Sequence, residues 1–191
     1  MRDKEEILSE NENLKAQVES LTEQNNKLIQ DQTEYVRLQQ MYNLDQQYTE
    51  YPKVAAEIIS KDPGNWYDTF MINRGSADGI RVDNNVIADK GLVGIVTEVG
   101  THWATVRSII DDSSNVSAMT VSTQDNCVVE GDLELIDEGK LSFSQMYDQD
   151  NKVTVGERIV TSNISEKYVE GLFIGYVSEI QQDPNNLTKT G

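Results

Sequence analysis

Residues 51–64 read Tyr51-Pro52-Lys53-Val54-Ala55-Ala56-Glu57-Ile58-Ile59-Ser60-Lys61-Asp62-Pro63-Gly64, and the chain changes character across them. Upstream of Pro52 there is no glycine or proline, and Glu, Gln, Lys, Leu and Asn dominate. Pro52 and the residues after it carry all 12 glycines, all 3 prolines and most of the β-branched residues. The first part therefore predicts one long helix, and the second predicts short strands joined by turns. Val54–Ser60 is the expected first strand, stopped by the turn signal Asp62-Pro63-Gly64.

Working back from that boundary, apolar or aromatic residues recur every seven positions: Ile7, Leu14, Leu21, Leu28, Tyr35 and Tyr42. With these as heptad d positions, the a series is Lys4, Asn11, Val18, Asn25, Gln32 and Gln39. Leucine at d with asparagine at a favours a parallel two-stranded coiled coil, because two Asn side chains pair across the seam in one register only. The expected dimer interface is Asn11, Leu14, Val18, Leu21, Asn25, Leu28 and Tyr35, with Glu10 and Lys15 placed for an interhelical ion pair. So polar an a series makes the seam thin. The alternative is a single amphipathic helix folded onto the following domain.

Working forward, Trp66–Ile72 alternates, and Asn73-Arg74-Gly75-Ser76-Ala77-Asp78-Gly79 is a turn-rich loop. Further strands are expected at Val86–Ala88, Leu92–Val99, Ala104–Ile110, Val116–Val121, Cys127–Gly131, Leu141–Phe143, Ile159–Thr161 and Leu172–Ile180. About ten short strands at this spacing argue for small barrels or a sandwich. Ile80–Ala88 echoes Val153–Thr161, and Gly91–Val96 echoes Gly171–Val177. The tail from Gln181 is polar and expected to fray.

The net charge of −17 repels phosphate backbones, so no nucleic acid partner is expected. No run approaches the ~20 apolar residues of a membrane span. The single cysteine, Cys127, lies beside Val128 and Val129 and reads as a buried core residue. His102, in Gly100-Thr101-His102-Trp103, reads as a loop histidine. Together with the serines and aspartates it leaves one alternative function, a hydrolase with a two-barrel protease-like fold. That alternative lacks a Gly-x-Ser-x-Gly nucleophile elbow. Asp111-Asp112 and Asp148-Gln149-Asp150 lack the glycine and distal glutamate of a calcium loop, and read as solvated turns. No catalytic residue, cofactor or metal is expected.

Asp62-Pro63, Trp66, Ile72, Gly75, Gly79, Val86, Gly91-Leu92-Val93-Gly94 and Val96 resemble the first half of the β region of the bacterial rod-shape-determining MreC family. Asp111, Val116 and Gly131 are similar to its next stretch, then Val155-Gly156 and Ile159-Val160-Thr161-Ser162, and the closing Gly171-Leu172, Gly175 and Val177 to its last strand. Asn163 stands where glycine is common and Glu170 where proline is often found. The resemblance implies a long N-terminal coiled-coil helix followed by a mainly-β region of two small β-barrel domains. The domains are then 1–48 coiled coil, 49–110 barrel one, and 111–191 barrel two, with strands near 171–180 able to return to barrel one. It implies a non-enzymatic scaffold of the cell-wall elongation complex, a parallel homodimer outside the cytoplasmic membrane. The membrane anchor would be an N-terminal helix absent from this chain. Its partners would be MreD, a RodA-type transglycosylase, a penicillin-binding transpeptidase and the MreB system. Of the aromatic residues, Trp103 is the candidate for partner contact, since it lies in a loop; the alternative is that it begins the next strand and is core.

Overall fold

The computed structural model describes residues 4–49, 51–61, 68–89, 91–148, 151–183 and 188–191. The chain divides into two units, residues 1–51 and 52–191. The first is helix α1 (Lys4–Gln47), 44 residues long, or about 66 Å at 1.5 Å per residue. The two threonines of its interior return their hydroxyls to the preceding turn: Thr22 to the Val18 carbonyl and Thr33 to that of Ile29. Each hydroxyl shares a carbonyl that already accepts a helix N–H, which satisfies the side chain at a slight cost to the helix.

The second unit holds two five-stranded antiparallel sheets. Strands β1 (Ile58–Lys61), β2 (Thr69–Ile72), β3 (Asn85–Ala88), β4 (Gly91–Val99) and β5 (Ala104–Ser108) form the first, in the order β1-β2-β5-β4-β3. Strands β6 (Asn115–Thr120), β7 (Asn126–Glu130), β8 (Ser142–Ser144), β9 (Arg158–Thr161) and β10 (Phe173–Tyr176) form the second, in the order β10-β9-β6-β7-β8. Burial alternates along β5 and β6, as a strand's period of two requires when one face is core. Ile72, Val96, Ala104 and Val106 make the first core, with Phe70, Ile80, Val86 and Val99 against them. Val116, Ala118, Cys127, Val129 and Ile159 are buried on the second sheet. Trp66 and Pro63, read above as core anchor and turn, lie outside the described residues.

The sequence echo is a structural one at the level of the hairpin. Asp83 N–H donates to the Val96 carbonyl, and Val96 N–H returns to Asn84. At the matching positions Gly156 donates to Val177, and Val177 returns to Glu157. Asp83 (φ 68°) and Gly156 (φ 93°) both adopt the left-handed turn this bond pair needs. Beyond the hairpins the sheets part company, because β4 is the inner strand of one pair and β9 of the other. Asn163, which stands where the family favours glycine, keeps a negative φ, so its turn does not need the left-handed region.

The tail corrects its sequence reading. Rather than fraying, β11 (Gln181–Gln182) and β12 (Lys189–Thr190) pair, and β12 docks on the β8 edge. Phe143 N–H donates to the Gly191 carbonyl (2.7 Å), and Gly191 N–H to that of Phe143 (3.1 Å). A flat sheet running from β10 through β8 and β12 to β11 would separate its ends by about 29 Å. The chain from Tyr176 to Gln181 can span at most about 18 Å. The second sheet is therefore strongly curled, with its tail tied across the opening.

A candidate docking surface

Two loops meet at one end of the first sheet. Ser76 N–H donates to the Gly100 carbonyl (2.9 Å) and Ala77 N–H to that of Thr101 (3.0 Å). The loops come this close because Gly75 has no side chain: a Cβ there would lie 2.4 Å from the Gly100 oxygen. Residues Ser76–Asp78 form a short 3-10 turn, ended by Gly79 at φ 85°. The Asp78 carboxylate accepts from Gly75 N–H (3.0 Å) and lies 3.8 Å from the Arg74 guanidinium. Asn73 ties the loop's other side to β1: Glu57 N–H donates to its side-chain oxygen (2.8 Å) and Asn73 N–H to the Glu57 carbonyl (3.0 Å). The result is a stiff rim on which Ser76, Ala77, Asp78, Thr101 and His102 stand exposed.

Trp103 lies in this rim, immediately before β5 and half-buried. Its indole packs where a Gly100 side chain would be, 2.3 Å from that ideal Cβ position. The two loops were named separately from sequence; their joining by backbone hydrogen bonds has no sequence signal, since the partners are about 25 residues apart.

The helix residues of the expected seam are well exposed: Leu14, Val18, Leu21, Leu28 and Tyr35 at 54–66 % of full exposure, with Asn11 and Asn25 also exposed. Ile7 belongs to the helix, but its side chain lies outside the described residues.

The chemistry-bearing residues are dispersed. His102 is exposed in its loop. Cys127 is buried on β7, and burial pushes its thiol up to about 12, so it is not a thiolate at neutral pH. Asp111 accepts from Ser113 N–H (2.7 Å) as a turn acceptor, and Asp112 accepts from Leu133 N–H (2.9 Å) across 21 residues. Among the described residues no three His, Cys, Asp or Glu side chains are placed to hold a metal ion.

Asp148 overturns its reading as part of a solvated turn. It is buried, 2.6 Å from the ammonium of Lys189, also buried, and it accepts from Lys152 N–H (2.8 Å) and Val153 N–H (3.0 Å). Burial by itself raises the carboxyl's pKa, but the Lys189 bond and the two backbone bonds outweigh it, and the net shift is downward. Lys189 belongs to β12, so this pair fastens the tail.

Among the described residues no helix is long and apolar enough to cross a membrane. A family model, that of the rod shape-determining protein MreC barrel core, matches residues 58–191. The cell shape-determining protein MreC of Listeria monocytogenes is 29 % identical over 95 % of this chain and 62 % of its own length. That of Bacillus subtilis is 28 % identical over 99 % of this chain and 68 % of its own. The chain thus spans about two thirds of these relatives. A solved structure of Listeria MreC superposes with a TM-score of 0.65 at 28 % identity, covering 95 % of this chain and 86 % of the other. MreC in a solved complex with penicillin-binding protein PBP2 from Helicobacter pylori shares the fold, with a TM-score of 0.56 at 13 % identity over 71 % of this chain and 82 % of that one. With the helix-then-β order, the two sheets and the model match over the whole β unit from β1 onward, the chain belongs to the MreC family of rod shape-determining proteins.

Proposed function

We propose that this chain is a non-enzymatic scaffold of the cell-wall elongation complex, which maintains rod shape by dimerising and by docking wall-synthesis proteins. Residues 1–48 are the coiled coil, 49–110 and 111–191 the two barrel domains. The scaffold works on the outer side of the cytoplasmic membrane, anchored by a segment N-terminal to these residues. Its homodimer seam is Asn11, Leu14, Val18, Leu21, Asn25, Leu28 and Tyr35. The rim of Asn73–Gly79 and Thr101–Trp103 contacts a partner through Trp103, since aromatic side chains bury much area with few rotamers lost. A penicillin-binding transpeptidase is the first partner, with MreD, the RodA-type transglycosylase and the MreB system around it.

The observation that carries this reading is the match to the MreC barrel core across residues 58–191, joined to a helix whose apolar seam is uncovered. The partner assignment rests on the PBP2 complex of the Helicobacter relative. The test is capture of the penicillin-binding transpeptidase's extracellular region from the same bacterium by the purified chain, and by variants altered at the rim. Binding that weakens with Trp103→Ala supports the reading. No binding by the unaltered chain at tens of micromolar sinks the transpeptidase assignment.

A further inference from the structure

The two sheets of the β unit meet at a seam where a single side chain makes both ends of a clamp. Asn85 is the first residue of β3, its backbone in register with Ile95 of β4. Its side-chain amide donates to the Lys167 carbonyl (2.8 Å), and its side-chain oxygen accepts from Val169 N–H (2.7 Å). The second amide hydrogen faces the Asp83 carbonyl at 3.3 Å. One donor end and one acceptor end thus serve residues two apart on a loop 82 to 84 positions away, as a neighbouring strand would. The bonding fits one orientation of the amide only, because both carbonyls need a donor and Val169 needs an acceptor.

The loop that Asn85 holds is itself tied into the second sheet. Thr161 N–H donates to the Leu172 carbonyl and Gly171 N–H to that of Thr161. Between the two clamped residues lies Tyr168, buried. Burial raises the pKa of its hydroxyl, the Arg107 charge of β5 opposes that, and Asp83, in the turn before β3, adds to it. Close by in the chain, β4 and β10 approach so tightly that a Cβ on Gly91 would sit 2.2 Å from the Phe173 carbonyl oxygen. The seam therefore has a packed plug, a close backbone crossing and one hydrogen-bonding clamp.

We propose that Asn85 is a positioning residue that locks the two sheets into one rigid body, so that a docked wall-synthesis enzyme meets a single preformed face spanning both. The docking half of this statement rests on the function proposed above; the locking half stands on the geometry alone. The Lys167 carbonyl is exposed and can turn to water, but an unpartnered Val169 N–H at its half-buried position is costly, so loss of the clamp lets the loop leave the seam to find water. A preformed face binds without first giving up hinge freedom, and that advantage goes with the clamp.

The test uses the whole chain, spin-labelled at Glu98→Cys on β4 and Val121→Cys just after β6, both exposed, and diluted with unlabelled chain to suppress signals between copies. Buried Cys127 need not be replaced. Asn85→Ala should at least double the width of the label-to-label distance distribution. It should speed hydrogen exchange at Val169 by about tenfold, the equivalent of one hydrogen bond, while β6 and β7 amides hold their protection. Asn85→Asp keeps the acceptor for Val169 but loses the donors, so its exchange should fall between the two; it also serves if the alanine variant does not fold. Capture of the transpeptidase should weaken about tenfold with Asn85→Ala. An unchanged distance distribution in both variants overturns the lock. A broadened distribution with undiminished capture overturns the preformed face. If the unaltered chain captures no transpeptidase, the functional reading fails, and the distance measurement still decides the lock.

Discussion

The helix and the β unit treat their apolar residues in opposite ways. Along α1, Leu21 and Leu28 stand 64 % and 66 % exposed, whereas Val96, Val106 and Val116 on the sheets are at 1 % or less. The β unit packs a core of its own, in which Val96, Ala104, Val106, Val116 and Ala118 are almost wholly buried. The helix carries a periodic apolar series with nothing of its own to cover it, and isolated helices depend on packing for most of their stability. One sequence thus contains a buried core and an exposed periodic series, and the dimer proposed above would cover the second.

Breaking the helix should give the largest effect. Leu21→Pro removes a backbone donor and costs ~3 kcal/mol or more in a helix interior. Sedimentation should then report a monomer at concentrations where the unaltered chain is a dimer, with the β unit's melting transition kept. A monomeric unaltered chain at high concentration would remove the ground for the seam.

Within the β unit, Lys189→Met should be the most damaging single change, because it leaves Asp148 buried without its cation. The expected loss is about 3–5 kcal/mol, seen as a lowered urea midpoint. The double variant Asp148→Leu/Lys189→Met should recover much of it, since an apolar pair of similar volume is often tolerated where a broken ion pair is not. A double variant no better than the single one would show that the pair acts through something besides charge.

The same pair sets a pH dependence whose sign follows from the direction of the shift. Asp148 has a folded pKa below its ordinary value, so its stabilising contribution is present above the ordinary carboxylate range. It is lost as pH falls through that range to the depressed folded value. Stability measured against pH should therefore decline on acidification more steeply in the unaltered chain than in Asp148→Asn. Equal slopes would mean that Asp148 is not the group responsible.

Trp103→Ala tests whether the rim belongs with the buried core or the exposed surface. Its half-burial predicts a modest loss, about 1–2 kcal/mol, together with weakened transpeptidase capture. A loss of about 3–5 kcal/mol with unchanged capture would class it with the core. The smallest expected effect is at Cys127, whose thiol should stay unmodified by a thiol reagent in the folded chain and react on unfolding. Rapid modification under native conditions would contradict its burial.

Much of this architecture was legible along the chain. The strands observed at Gly91–Val99, Arg158–Thr161 and Asn126–Glu130 fall within a residue or two of their expected places, because period-two alternation and turn residues are local signals. The first strand began late, at Ile58 rather than Val54, as residues 52–57 make no ladder. The tail was misread for a related reason. Gln181, Gln182 and Lys189 carry no apolar alternation; the first two pair with β12, and β12 in turn docks along the edge at Phe143 and Met146.

By itself the sequence determined the helix, its seven-residue apolar series and the change of character at Pro52, and it carried an echo between two segments that generic hairpin composition could equally produce. All of these rest on neighbours within a few positions. Only the tertiary structure decided that Asp148 pairs with Lys189 41 residues away, that Asn85 holds a loop 82 to 84 residues on, and that the loops at Gly75 and Gly100 touch. Contacts of that separation depend on how sheets curl and loops close. No local pattern distinguishes an aspartate that ends in water from one that ends against a lysine.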